Sequence, residues 1–314
     1  MDQFNIAYSN SLKPKQGRFC HIIGKMLGVL AQTKLRLGDT AMTSHKEYDL
    51  LIEADEMLNF PGDNLKVFDC RADLSDRNLG YAKYLEGHIS QSQHLSLEKD
   101  LCSTPGRRGR HPLPTKENWI TKIRNFGIDN SDQVVLYDET GGSFAARAWW
   151  MFRWVGHQKV ALLNGGWQAW EGPKKSGSSP KSNTGRFKEK SSLTKLITMK
   201  ELKASEAARL VDARSLERWS GENEPIDLVA GHIPNAVCHP FSGNLDNHSR
   251  FKSVSELRTR FEGLREPIVC YCGSGVTAAH NILSLKIAGY SEPILYAGSW
   301  SEWIGYDDNP VARI

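Results

Sequence analysis

The chain has 314 residues, enough for about two domains, with 39% hydrophobic and 24% charged residues, an ordinary globular balance. A net charge of +4, with no run of Lys and Arg interleaved with aromatic residues, gives no support to nucleic-acid binding. No stretch of 18 apolar residues is present to span a membrane.

Residues 1–44 stand apart in composition. Residues 1–41 carry six Lys or Arg against two Asp, around the apolar patch "IIGKMLGVLA". The patch is too short and interrupted for a membrane span, and no clean small-residue cleavage site follows it. The acid-poor composition fits a mitochondrial transit peptide; a disordered extension, or an upstream start ahead of Met42, is the plainer expectation.

Residues 45–170 hold a first ordered series of landmarks. "LKVFDCR" (65–71) is an apolar strand ending in Asp-x-Arg. "EGHIS" (86–90) follows. "VVLYDETGGSFAARAWWMFRWVGH" (134–157) is a strand, a loop and a helix-length amphipathic stretch, and "LLNGGWQAW" (162–170) closes the series. Residues 171–186 are rich in Gly, Ser, Pro and Lys, which reads as an exposed linker.

Residues 187–314 repeat the series: "ARLVDAR" (208–214), "AGHIP" (230–234), "IVCYCGSGVTAAHNILSLKIAGY" (268–290) and "LYAGSWSEW" (295–303). The four landmarks recur in the same order, 133 to 144 residues later. The chain is therefore expected to be two copies of one α/β fold, each a parallel sheet flanked by helices. In such sheets the chemistry sits at the carboxyl ends of strands.

Cys272 lies at such an end. The loop Gly273, Ser274, Gly275, Val276 and Thr277 follows, and a helix begins near Ala278. Small residues allow the backbone to curl so that successive N–H groups point inward, and the helix N-terminus adds unpaired donors. A thiol facing that cradle should ionise readily, and the thiolate is the reactive form. Cys270, two residues earlier within the strand, reads as a space-filling thiol, as do Cys20, Cys70, Cys102 and Cys238. The scattered cysteines indicate free thiols in a reducing compartment rather than a disulfide framework, and the single close pair lacks zinc-site spacing. The first copy has Asp138 at the position of Cys272, and a carboxylate cannot perform thiol chemistry. Its loop, "DETGGSF", differs in length and composition, so its N–H groups are not expected to converge on a thiol placed at position 138. Rival cysteine chemistries fit poorly. A Cys-x5-Arg phosphatase would need Arg where Ala278 stands. No Cys-x-x-Cys redox motif and no local protease signature is present.

With "DARSLERW", "AGHIPNA", "YCGSGVTAAH" and "YAGSWSEW" in the second copy, and "GRHPLP" and "ARAWWMFRWVGH" in the first, residues 45–314 resemble tandem-domain sulfurtransferases of the rhodanese superfamily. The resemblance implies two rhodanese-like domains, the first inactive and the second catalytic. Cys272 would take a sulfane sulfur as a persulfide, with Ser274 assisting. The sulfur would pass to cyanide or to a thiol such as thioredoxin or a low-molecular-weight thiol. No metal or organic cofactor is implied, and a cytoplasmic enzyme is expected. Family members specialised for thiosulfate carry basic residues after the cysteine, whereas those preferring 3-mercaptopyruvate carry Gly-Ser, as here. Arg218 matches the residue that anchors the donor's anionic end. The second anchoring Arg is missing from "GENEPIDLVAGHI", which leaves Arg108 or Arg110 to reach across. The loop serine's acidic partner would fall near Glu98 or Asp100. The alternative is a non-catalytic rhodanese module that binds partners or senses sulfur.

Overall fold

The computed structural model describes residues 46–180, 182–205 and 208–314; the expectations for residues 1–44 lie outside this range. The strands, in chain order, are β1 (Leu51–Ile52), β2 (Leu65–Asp69), β3 (His88–Ile89), β4 (Ser92–His94), β5 (Gln133–Tyr137), β6 (Val160–Leu163) and β7 (Lys174–Lys175), then β8 (Lys195–Leu196), β9 (Arg209–Asp212), β10 (Val237–Cys238), β11 (Ile268–Tyr271) and β12 (Ile294–Leu295). Two five-stranded parallel sheets result, ordered β1-β6-β5-β2-β4 and β8-β12-β11-β9-β10. The second order is the first one repeated. The central strands β5 and β11 are buried along their whole length, as predominantly apolar strands covered on both faces are.

The recurring landmarks touch one another within each copy. Arg71 pairs with Asp69 and donates to the Gly87 carbonyl at 2.5 Å; Arg214 pairs with Asp212 and donates to the Gly231 carbonyl at 2.7 Å. The Tyr137 and Tyr271 hydroxyls accept the N–H groups of Ile89 and Ile233, both at 3.2 Å. Asp-x-Arg, Gly-His-Ile and the strand-end tyrosine thus form one buried polar cluster per copy, which accounts for their common spacing. The described residues of 171–186 are mostly exposed but tied down. β7 pairs antiparallel with β3, Ser179 donates to the Ser92 carbonyl and the Gly185 N–H to that of Arg124.

Two helices join the copies. Ala145–Trp154 follows β5, Ala278–Ile287 follows β11, and they pack against each other. Residues 145–153 and 278–285 are buried on every side, so neither helix has a solvent face. One apolar cluster runs through them from Phe68 and Trp149 in the first copy to Leu257 and Ile282 in the second. The loops after β5 and β11 therefore meet at the junction of the two copies.

Candidate active site

Cys272 is the first residue beyond β11 and is 2% exposed. The Gly275 N–H donates to its Sγ at 3.1 Å. Gly275 has φ +80°, and a Cβ there would stand 2.1 Å from the Ala297 carbonyl oxygen, so this turn admits only glycine. The loop is clamped from below by the last landmark. The Cys272 N–H donates to Ser299 Oγ, and the Cys272 and Gly273 carbonyls accept from the N–H groups of Trp300 and Ser301. Among the described residues, the N–H groups of Ser274, Val276 and Thr277 donate to no protein group. The loop thus holds spare donors at the N-terminus of a ten-residue helix, where the helix dipole favours an anion. The other described thiols have no such loop. Burial pushes Cys70 and Cys270 well up, Cys102 to about 11 and Cys238 to about 12.

Two guanidinium groups flank the loop. A Cβ built on Gly273 would stand 3.0 Å from Arg110 Nη2, 3.3 Å from Arg218 Nη2 and 3.4 Å from Arg218 Nη1. Arg218 comes from the short helix Leu216–Ser220, and Arg110 reaches over from the first copy. Both pair with Asp227, and Arg218 also binds Glu224 through Nε at 3.0 and 3.1 Å. Burial pushes Asp227 up, against the pull of Arg110 and Arg218. Burial also works to raise Glu224, but the hydrogen bonds from Arg218 and the Asp227 N–H hold it below the usual range. Arg110 Nη2 and Arg218 Nη1 keep free hydrogens facing Gly273. The uncharged Gly273-Ser274 sequence supplies no cation of its own; the two guanidinium groups beside Gly273 come from elements remote in sequence. The loop before Gly-His-Ile supplies acids rather than a second Arg.

Ser274 has a partner that sequence reasoning missed. His111 Nδ1 lies 2.7 Å from Ser274 Oγ. Burial, then the charges of Arg147, Arg110 and Arg77, push His111 down to about 4, so it is neutral at physiological pH. Neither acid expected near Ser274 touches it. Asp100 accepts the Ser96 N–H and pairs with Lys122, while Glu98 lines an adjacent cleft with its carboxyl pushed up by burial. That cleft, of about 1090 Å³, is also lined by Arg108, Arg110 and His111, so it opens on the Ser274 side of the loop without reaching Cys272 itself. The only sequence signal for His111 was its place beside Arg110 in "GRRGRHPLP".

The loop after β5 is organised around its own acid: the N–H groups of Thr140, Gly142, Phe144 and Ala145 all donate to the Asp138 carboxylate at 2.8–2.9 Å. The first copy keeps an anion cradle, and its own side chain fills it.

Comparison with known proteins agrees with this geometry. Residues 51–173 and 195–306 match the rhodanese-like domain family. A probable 3-mercaptopyruvate sulfurtransferase of Pseudomonas aeruginosa is 43% identical over 263 residues, covering 79% of this chain and 92% of that protein. A thiosulfate sulfurtransferase of Gallus gallus is 32% identical, covering 77% and 87%. Among solved structures, 3-mercaptopyruvate sulfurtransferase from Leishmania major superposes with a TM-score of 0.75 at 27% identity, covering 84% of this chain and 76% of that one. SseA from Escherichia coli gives 0.70 at 28% identity, covering 81% and 100%. With two copies of the fold and both copies matched, the chain is a tandem-domain member of the rhodanese family of sulfurtransferases.

Proposed function

We propose that this sulfurtransferase takes its sulfur from 3-mercaptopyruvate and carries it as a persulfide on Cys272. The observation that carries the reading is the neutral Ser274–His111 pair beside two guanidinium groups. A keto-acid donor has a carboxylate at one end and a carbonyl next to the carbon that bears sulfur. Arg110 Nη2 and Arg218 Nη1 offer free hydrogens for the carboxylate, and Ser274 offers a hydroxyl near the carbonyl. The Cys272 thiolate attacks the donor sulfur, an S–S bond forms and the C–S bond breaks. Its electron pair passes to the carbon as the enolate of pyruvate. Ser274, backed by His111, is placed to donate to the enolate oxygen; protonation at carbon then gives pyruvate. The persulfide sulfur would lie against the spare N–H groups of Ser274, Val276 and Thr277. An acceptor thiol, such as thioredoxin or a low-molecular-weight thiol, then attacks the outer sulfur and releases the Cys272 thiolate.

Thiosulfate is the competing donor. Its two charges call for uncompensated cations, whereas Asp227 and Glu224 already offset much of the charge on Arg110 and Arg218. The higher identity to a protein named for 3-mercaptopyruvate points the same way. The test is kcat/KM for each donor with one thiol acceptor, with intact mass before acceptor is added. A gain of one sulfur atom at Cys272 and a preference for 3-mercaptopyruvate are expected. A preference for thiosulfate overturns the donor assignment, and sulfur on another residue overturns the persulfide.

A further inference from the structure

Arg147 is fully buried, and no carboxylate pairs with it among the described residues. An isolated buried charge is costly unless it is fully hydrogen-bonded. Its guanidinium spends its hydrogens on backbone carbonyls: Nη1 donates to Gly275 at 2.9 Å, and Nη2 to His111 at 3.0 Å and, more weakly, to Leu101 at 3.5 Å. Nε is left without a partner. Burial pushes the Arg147 guanidinium down from its ordinary value, and no neighbouring carboxylate among the described residues offsets that cost.

The contact with Gly275 has a counterpart. Arg147 is the third residue of the helix Ala145–Trp154, and His280 is the third residue of Ala278–Ile287. Arg147 donates to the carbonyl of Gly275, three residues after Cys272. His280 Nε2 donates at 2.9 Å to the carbonyl of Gly141, three residues after Asp138. Both glycines have positive φ, +80° and +69°. Each copy therefore steadies the other copy's loop at the same carbonyl. The two contacts differ in charge. His280 is pushed down to about 4, chiefly by burial, and is neutral, whereas the loop that carries the thiol receives a guanidinium.

We propose that Arg147 is a positioning residue for the sulfur-carrying loop, the part of the catalytic machinery that the first domain contributes from below. The Gly275–Val276 peptide is trans, so holding the carbonyl toward Arg147 turns the Val276 N–H the opposite way. That N–H is in a buried residue and has no protein acceptor, so it is a donor in want of an anion. The same guanidinium fixes the backbone of His111, the residue that meets Ser274. One buried fork thus sets both the sulfur cradle and the His111–Ser274 pair in register, and places a fixed positive charge behind the thiol.

The inference rests on Cys272 being the sulfur-carrying thiol. The test compares wild type, R147M and R147K by thermal unfolding, by mass-mapped iodoacetamide alkylation of Cys272 at pH 7, and by kcat and KM with 3-mercaptopyruvate. In folded R147M, alkylation of Cys272 and kcat are expected to fall about tenfold or more while KM stays within about twofold, since Arg110 and Arg218 still bind the donor. R147K keeps the charge but loses the fork, so alkylation should recover most of the way while kcat stays reduced by a few-fold. Wild-type alkylation and kcat in folded R147M overturn the proposal. If R147M does not fold, wild-type kcat in R147K overturns it. An unaltered kcat with raised KM in either variant also overturns it. Alkylation needs no sulfur donor, so a wild type that loads no sulfur on Cys272 overturns the proposed function, while the alkylation series separately decides whether Arg147 sets the Cys272 loop.

Discussion

His111 Nδ1 and Ser274 Oγ lie 2.7 Å apart although 163 positions separate them in the chain. The pair joins the two domains at the Cys272 loop, and its work should be donor-dependent. A keto-acid donor leaves as an enolate that gains from a hydrogen bond, whereas thiosulfate releases sulfite, which needs none. Ser274→Ala and His111→Gln are each expected to lower kcat with 3-mercaptopyruvate by about 100-fold. The loss with thiosulfate should be much smaller. The double variant should be no worse than the poorer single one, as expected for residues acting as a unit. Equal losses with both donors, or additive losses, would show that the pair does not act on the leaving group.

Cys272→Ser is expected to abolish transfer and leave the fold intact, since an uncharged hydroxyl fits the same loop. Cys270→Ala should keep transfer at some cost in stability, because that thiol is a fully buried filler below the loop. Steady-state assays and thermal unfolding of both variants separate the two roles. Activity in Cys272→Ser would sink the assignment.

Arg110→Ala removes a guanidinium at the Gly273 side of the loop and leaves Asp227 paired with Arg218 alone. A charge-assisted hydrogen bond contributes about 1.5–3 kcal/mol, so KM for 3-mercaptopyruvate should rise roughly 10- to 150-fold with kcat less affected. Arg218→Ala should act in the same direction. A fall in kcat at constant KM would place these arginines away from the donor's carboxylate.

Asp138→Ala strands four backbone N–H groups in a buried loop, and a loss on the order of 3 kcal/mol is expected by urea unfolding. Asp138→Cys in a Cys272→Ser background would put a thiol into a formed cradle. It should still give no turnover, because Arg110, Arg218 and His111 all border the other loop. Turnover by that double variant would show that the cradle alone suffices.

Acid should destabilise the protein early. Burial is the chief cause that pushes His111, His157, His239 and His280 down to about 4 each, so the folded state holds them neutral. The unfolded chain takes up those protons near pH 6.5. The stability they contribute is complete above about pH 6.5 and is lost as pH falls toward 4. Urea unfolding at pH 7 and pH 5 should differ by a few kcal/mol, in favour of pH 7. Equal midpoints would contradict the burial assigned to these rings.

The duplication, the parallel α/β class and the loop around Cys272 are legible in the amino-acid sequence alone. Each is written locally: strand-end motifs repeat at fixed spacing, and Cys272 carries its loop in the five residues that follow. Arg218 was legible for the same reason, lying within one repeated motif. What surrounds the thiol was not. His111 and Arg147 belong to the first domain and reach Ser274 and Gly275 across 163 and 128 positions, whereas Arg110 was a candidate only through the family resemblance. Nothing in local pattern specifies such contacts, because they arise only when two fully buried helices pack face to face and bring equivalent loops together. The Asp138 loop illustrates the same limit. Its length and composition differ from those of the Cys272 loop, yet a carboxylate with four N–H groups in reach organises the backbone around itself, and only the folded loop reveals that it does.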